Sequence, residues 1–209
     1  MSSKRRTQSL LVTVALSSFA LALLVAGCSS NGGVGVALSR VLGQAFATET
    51  DGDQNNTVPL AEADVILLQY DEEGNLQRAF VGMTDANGNF VVDVQAQPVV
   101  AIVVEGMTND GNVDISGLYN PDEPTIEKDL DTATSIACIA GISAINDGSI
   151  TEEQLDEARI QNLEDAAVEY IASNPEFDFY NDVERDAAVA AVRSATNDGA
   201  NPAAPGAFT

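Results

Sequence analysis

The chain has no histidine, no tryptophan and only two cysteines, and sets nine basic residues against 32 acidic ones. Without histidine no Ser–His or Cys–His couple can activate a nucleophile, so Ser143 in "GISAI" has nothing to make it a G-x-S-x-G elbow. The second cysteine, Cys138, lies in the apolar stretch "TSIACIAG" and reads as a small core residue rather than half of a disulfide. Scarce aromatics leave few platforms for a sugar. Tyr70 and Tyr119 are the candidates, and Tyr70 reads better as a core residue at a strand end. The deficit of positive charge excludes nucleic acid and anionic headgroups as partners, because such a surface repels phosphate.

What is present begins with the first 27 residues. Lys4, Arg5 and Arg6 precede an apolar run from Leu10 to Val25, and small residues follow, which is the layout of a secretory signal. The run is also just long enough to raise a membrane-spanning helix. Val25-Ala26-Gly27-Cys28 resembles a bacterial lipobox. That resemblance implies a diacylglycerol on the Cys28 sulfur, cleavage before Cys28 and a further acyl chain on the freed amine. The alternative is an uncleaved anchor helix with an incidental cysteine. Two or three acyl chains hold a protein firmly where one holds it marginally. Residues 28–35, "CSSNGGVG", read as a flexible tether. Ser29 is not the aspartate that tends to retain such proteins at an inner membrane, which points to an outer membrane. Removal of residues 1–27 leaves six basic residues against 32 acidic ones, a net charge of −26. This charge keeps the body soluble by mutual repulsion and attracts cations.

From 36 to 118 the pattern is strand and turn. Runs at 39–48, 63–70, 78–84, 89–96 and 98–106 are rich in Val, Ile and Phe and bounded by Gly/Asn/Asp clusters. In "NFVVDVQA", Phe90, Val92 and Val94 share one face. Gly74-Asn75 and Asn87-Gly88 read as hairpin turns with left-handed backbone, Asp85 capping the second. The spacing predicts an antiparallel β-sandwich.

The stretch "VLGQAFATETDG…VPLAEADVILLQYD…GMTDANGNFVVDV" resembles the carboxypeptidase-regulatory-like, transthyretin-type β-sandwich, with Gly43, Pro59, Leu60, Ala63, Val65, Thr84, Asp85, Gly88 and Phe90 on the family's positions. Two features depart from it: a longer first turn, "TETDGDQNNTV", and the lack of a Gly-x-Tyr near the fifth strand. The resemblance implies an accessory domain that stiffens, spaces or displays. Its carbohydrate-binding-like class names a fold relationship and not a sugar site.

The acidic first turn also scans as a calcium loop. Asp51, Asp53 and Asn55 take positions one, three and five, and Glu62 takes twelve. Against Ca²⁺ stand Asn56 where glycine belongs, Pro59 at position nine, and strand-like flanks where the motif needs helices. A solvated acidic loop is the alternative. No other cofactor is expected, and "NDGSITEEQ" (146–154) lacks the acids of a second such loop.

After 118 the period changes from two to 3.6. Asp131 is an N-cap for a helix through "TATSIACIAGISAIN" with Ile136, Ile139, Ala140 and Ser143 on one face. Thr151–Gln154 is a capping box that opens a second helix, whose stripe is Ile160, Leu163, Ala167, Tyr170 and Ile171. A third spans "DVERDAAVAAVRSAT", with Val183, Ala187, Ala190 and Ala191 on one side and Val189 and Val192 on another. Residues 119–198 thus form a three-helix region and 199–209 a loose tail, giving an α+β chain. Expected is a membrane-anchored, extracytoplasmic lipoprotein of structural or binding role, its partner an envelope protein or a glycan. A sugar- or Ca²⁺-binding module is the alternative. An envelope hydrolase built on carboxylates ranks behind both, since no motif places an acid/base pair.

Overall fold

The computed structural model describes residues 38–51, 54–71, 74–95 and 97–196. The expected signal, Cys28, the expected tether and residues 199–209 lie outside them. Among the described residues no helix is long and apolar enough to cross a membrane.

The fold is mixed α+β, several sheets of strands followed by three helices. The strand expected over 39–48 is two strands. β1 (Leu38–Gln44) ends before Ala45, which bridges to Leu130, and β2 (Phe46–Asp51) starts a separate hairpin with β3 (Gln54–Pro59). Thr48 faces Thr57 across it, and Asp51 faces Gln54. The stretch read as an acidic loop is therefore mostly paired β-ribbon.

β4 (Asp64–Tyr70) and β5 (Leu76–Met83) form a hairpin, and β7 (Val100–Thr108) and β8 (Gly111–Tyr119) another. Together they make an antiparallel sheet of order β5-β4-β7-β8. β8 falls on residues given no strand in the sequence reading. Its Gly and Ser content masks its alternation, yet Val113, Ile115 and Tyr119 are all buried. A second sheet, of order β6-β1-β9, joins β6 (Asn89–Gln95) antiparallel and β9 (Thr125–Glu127) parallel to β1. β6 alternates as its sequence requires, with Phe90, Val92 and Val94 buried and Val91, Asp93 and Gln95 exposed. β5 is the edge of the four-stranded sheet, and its Phe80 and Met83 are 62% and 56% exposed. Its Arg78 reaches across β4 to pair with Glu105 on β7.

The turn Thr84–Phe90 was read as a hairpin, and its local chemistry is that of one. Asp85 Oδ1 accepts from the N–H groups of Asn87 (2.8 Å) and Asn89 (3.0 Å), and Gly88 takes a φ of +80°. The 71–75 turn repeats this: Asn75 N–H donates to Asp71 Oδ1 at 2.8 Å, and Gly74 has φ +79°. In neither turn does the asparagine beside the glycine adopt positive φ. The tertiary roles differ, however. The 71–75 turn joins neighbours in one sheet, whereas the 84–90 turn carries the chain from the four-stranded sheet to the three-stranded one.

Buried Thr84 holds this corner. Its Oγ1 donates to the Leu60 carbonyl at 2.6 Å and accepts from Ala63 N–H at 2.9 Å. Ala45 N–H donates to the Gly88 carbonyl at 3.0 Å, and Leu60 N–H to the Ala45 carbonyl at 2.9 Å. Thr84→Val keeps the volume and strands both partners in the core. It is expected to lower stability by about 1–3 kcal/mol, seen as a lower denaturant midpoint at unchanged slope.

α1 (Thr132–Asn146) opens on the expected cap, with Asp131 Oδ1 accepting from Thr134 N–H at 2.9 Å and Thr134 Oγ1 accepting from Asp131 N–H at 2.8 Å. It is buried well beyond a single stripe, because it packs on β8 and on both other helices. Its Ala, Ser and Gly make this possible: Ser135 Oγ accepts from Ser116 N–H at 2.9 Å, and a Cβ on Gly141 would sit 2.6 Å from Leu118 Cδ1.

The capping box does not open the second helix. Thr151 N–H donates to Gln154 Oε1 at 2.9 Å around a 3-10 turn, and α2 (Glu157–Ser173) starts later, on Asp156. α2 buries Ile160, Leu163 and Ala167 as expected. α3 (Asp182–Ala195) turns Ala188, Val189 and Val192 inward, which leaves Val183 78% exposed. The helices do not stand apart as a region of their own. One hydrophobic cluster runs from Val41 and Phe90 through Ile102 and Ile115 to Ile136, Leu163 and Val192, and the described residues fall in one compact unit. The expected boundary at 118 falls one residue before the end of β8.

Candidate functional site

Three of the four Ca²⁺ candidates, Asp51, Asn55 and Glu62, fall among the described residues. Asp53 lies outside the described residues. Asp51 ends β2 and Asn55 pairs with Thr50 in β3, at the tip of the ribbon. Glu62, exposed and at φ +52°, sits beyond the other end of β3. At about 3.3 Å per residue, β3 puts Pro59 about 13 Å from Asn55, and Glu62 follows three residues later. Among the described residues no three His, Cys, Asp or Glu side chains cluster as a metal would need.

Tyr119 is fully buried, and the half-buried Tyr70 donates its hydroxyl hydrogen to Asn146 Oδ1 at 3.1 Å. Cys138 is a free thiol in the core, and burial pushes it up to about 11, so at neutral pH it stays protonated and non-nucleophilic. Nearby, Lys128 Nζ meets Glu164 Oε1 at 2.9 Å, donates to the Leu118 carbonyl at 3.2 Å, and stands 5.5 Å from the centre of the Tyr119 ring. Every charge in this cluster is met from within, and the cluster ties the connector after β9 to α2.

One open recess lies where the β2–β3 ribbon meets one end of the helices. Two cavities of about 460 and 420 Å³ share Thr48, Thr57, Thr132 and Ile171 and make one groove. The ribbon contributes Phe46, Ala47, Thr48 and Thr57, and α1 contributes its first turn, set by the Asp131 cap. α2 brings Val168, Ile171 and Ala172, and the loop after it brings Asn174 to Tyr180.

That loop is built by its own polar groups. Asn174 Nδ2 donates to the Tyr170 carbonyl at 2.7 Å, Asp178 Oδ1 accepts from Tyr180 N–H at 2.9 Å, and Glu184 Oε2 accepts from Asp178 N–H at 2.9 Å. The rings lock edge to face: Tyr170 and Phe177 at 5.7 Å, Phe179 and Tyr180 at 5.6 Å. The Tyr180 hydroxyl is buried against the backbone of Thr48. Burial pushes its pKa up, and the Thr48 backbone beside it pulls the other way. One end of the groove is thus apolar and the other aromatic and acidic, with threonines between.

A depression of similar size, about 470 Å³, lies over β1, but its floor is the crossing of Gly43 under the Lys128 segment. In the sequence analysis, "NPEFDFYND" is assigned no site. Three aromatics within four residues, in a chain with 5% aromatics, were the signal to follow.

No family model matches the chain, and no curated protein matches it. Among solved structures, the crystal structure of a 9R-lipoxygenase from Cyanothece PCC8801 matches at 13% identity and a TM-score of 0.29, over 71% of this chain and 27% of that one. The chain spans about a quarter of that enzyme's length, and a likeness this loose carries no argument about what the chain does.

Proposed function

We propose that the chain is a lipid-anchored protein of the cell envelope, held at a membrane beyond the cytoplasm, the outer membrane where there is one. Its folded part is a transthyretin-type β-sandwich with three helices packed on it. It acts as an accessory binding or display module and not as an enzyme. The observation that carries this reading is the run of Lys4-Arg5-Arg6, an apolar core and Val25-Ala26-Gly27-Cys28. The family assignment is supported by the way Pro59, Leu60, Ala63, Thr84, Asp85 and Gly88 meet at the corner between the sheets. A net charge of −26 on the remainder suits a body that stands off the membrane on a short tether. A glycan-binding role is the second reading, and it draws on Phe177 and Tyr180 beside Asn174 in the groove.

Growth on a labelled fatty acid tests the anchor. The wild-type chain is expected to take up label and the Cys28→Ala chain none. The native protein should also begin at a lipid-bearing Cys28 by mass spectrometry. An unmodified residue 28, or residues 1–27 still attached, overturns the proposal.

A further inference from the structure

We infer that the groove between the β2–β3 ribbon and the α2–α3 loop receives an extended segment of a partner protein that carries a lysine or arginine next to aliphatic side chains. The basic group would sit at the Phe177–Tyr180 end and the aliphatic ones against Phe46, Val168 and Ile171. This inference rests on the binding half of the role proposed above and is independent of the anchor.

Charge points to the basic group. The groove wall carries Asp131, Glu176 and Asp178 and no Lys or Arg. Each basic side chain among the described residues is already engaged. Arg40 pairs with Asp93, Arg78 with Glu105, Lys128 with Glu164, Arg185 with Asp182 and Arg193 with Asp147, while Arg159 Nη1 donates to the Gln154 carbonyl. α2 ends here with no basic residue in its last turn and only the neutral Asn174 on its last carbonyls, so part of the negative end of its dipole is left for a ligand to meet. Aromatic faces add to the preference, since a guanidinium or ammonium over such a ring is favoured, as Arg185 already shows 6.0 Å from the Phe179 ring.

Shape and polarity point to a peptide rather than a simple ion. Two joined cavities of about 460 and 420 Å³ are far larger than an ion needs, and half the wall is apolar. Along the middle, the hydroxyls of Thr48, Thr57 and Thr132 have no hydrogen-bond partner among the described residues. A hydroxyl both donates and accepts, which matches a main chain that presents N–H and C=O in turn. A neutral sugar would use the rings and hydroxyls but leave Glu176, Asp178 and the helix end uncompensated.

Titration calorimetry on the full chain in detergent, with acetyl-Leu-Arg-Leu-Arg-Leu-amide as probe, tests this. Saturable binding at one site is expected, with the Glu-for-Arg peptide and spermine both at least about tenfold weaker, since each tenfold is only about 1.4 kcal/mol. The pair Glu176→Gln and Asp178→Asn should weaken the Arg peptide about tenfold. The matched-charge pair Asp122→Asn and Glu123→Gln, on the exposed connector before β9, should change it less than about twofold. Ala172→Trp, at an exposed position on the apolar wall, should block binding without disturbing the core. Equal loss in both charge-neutralised pairs, undiminished binding in Ala172→Trp, spermine as tight as the peptide, or no heat at all each overturns the inference. Cys28→Ala should bind the peptide like wild type, so failure of the anchor and failure of the groove are read separately.

Discussion

Gly43→Ala is expected to cost about 3 kcal/mol or more, at the upper end of what overpacking a core does. For a domain of this size that lowers the melting temperature by roughly 6–12 °C. The cause is a close crossing and not the torsional freedom of glycine. A Cβ on Gly43 would overlap the Lys128 carbonyl oxygen, stand 2.8 Å from Phe90 Cζ and meet the Lys128 carbonyl carbon at 3.0 Å. None of these can retreat cheaply. Lys128 is pinned by its N–H to the Leu42 carbonyl at 3.0 Å and by its side chain to Glu164, and Phe90 is buried in the face of β6. To admit one methyl group, the segment after β9 must lift from β1, which breaks the parallel pairing of Leu42 with Glu127. Gly74→Ala is the control. Gly74 needs its φ of +79° but has nothing within 4 Å of a Cβ, so the cost there is the left-handed strain alone, about 1–2 kcal/mol. Thermal melts of the two variants should separate clearly, and equal shifts would contradict the crossing argument.

What the sequence made legible were interactions that close within a few residues. Asp131 caps α1 and Asp85 caps its turn because donor and acceptor lie at most four positions apart. Phe90, Val92 and Val94 face inward because a strand alternates whatever it packs against. Illegible were choices that only the tertiary structure makes. The Asp-x-x-Gly-Asn pattern is the same at 71–75 and 85–89, with the same hydrogen bonds, yet only the first links neighbours in a sheet. Nothing local distinguishes them, since the difference is where the next strand finds a partner. The break at Ala45 is similar: a run that alternates across 39–48 gives no sign that Phe46 N–H will donate to the Leu130 carbonyl at 2.8 Å and turn the chain into another sheet. The groove was illegible for the same reason, because its walls come from residues 46–48, 57, 131–133 and 168–180. Its acidity was no guide in a chain that is acidic throughout.

Removing one member of the Lys128–Glu164 pair has the second large expected effect. The two side chains are only 15% and 12% exposed, so each has given up most of its water for the other. Glu164→Leu leaves the Lys128 ammonium in the interior with the Leu118 carbonyl and the Tyr119 ring as its company. The expected cost is roughly 3–5 kcal/mol, mostly the stranded charge and not the net worth of the pair. Adding Lys128→Met should recover most of that loss, because a buried pair exchanged for apolar side chains of similar size is often near neutral. The double-mutant cycle isolates this coupling. pH gives an independent check. Burial raises the pKa of Glu164 above the ordinary glutamate value, against the pull of Lys128. The native state therefore holds that proton more tightly than the unfolded chain does. The stability this contributes is present below the unfolded-state pKa and is lost as pH rises through the raised, folded-state one. In the window just above the usual carboxylate range, Glu164→Gln should remove that part of the downward slope of stability with pH. A slope unchanged in Glu164→Gln, or a double variant as unstable as Glu164→Leu alone, would show that the pair is solvated and loosely held, and that the connector after β9 is fastened to α2 by something else.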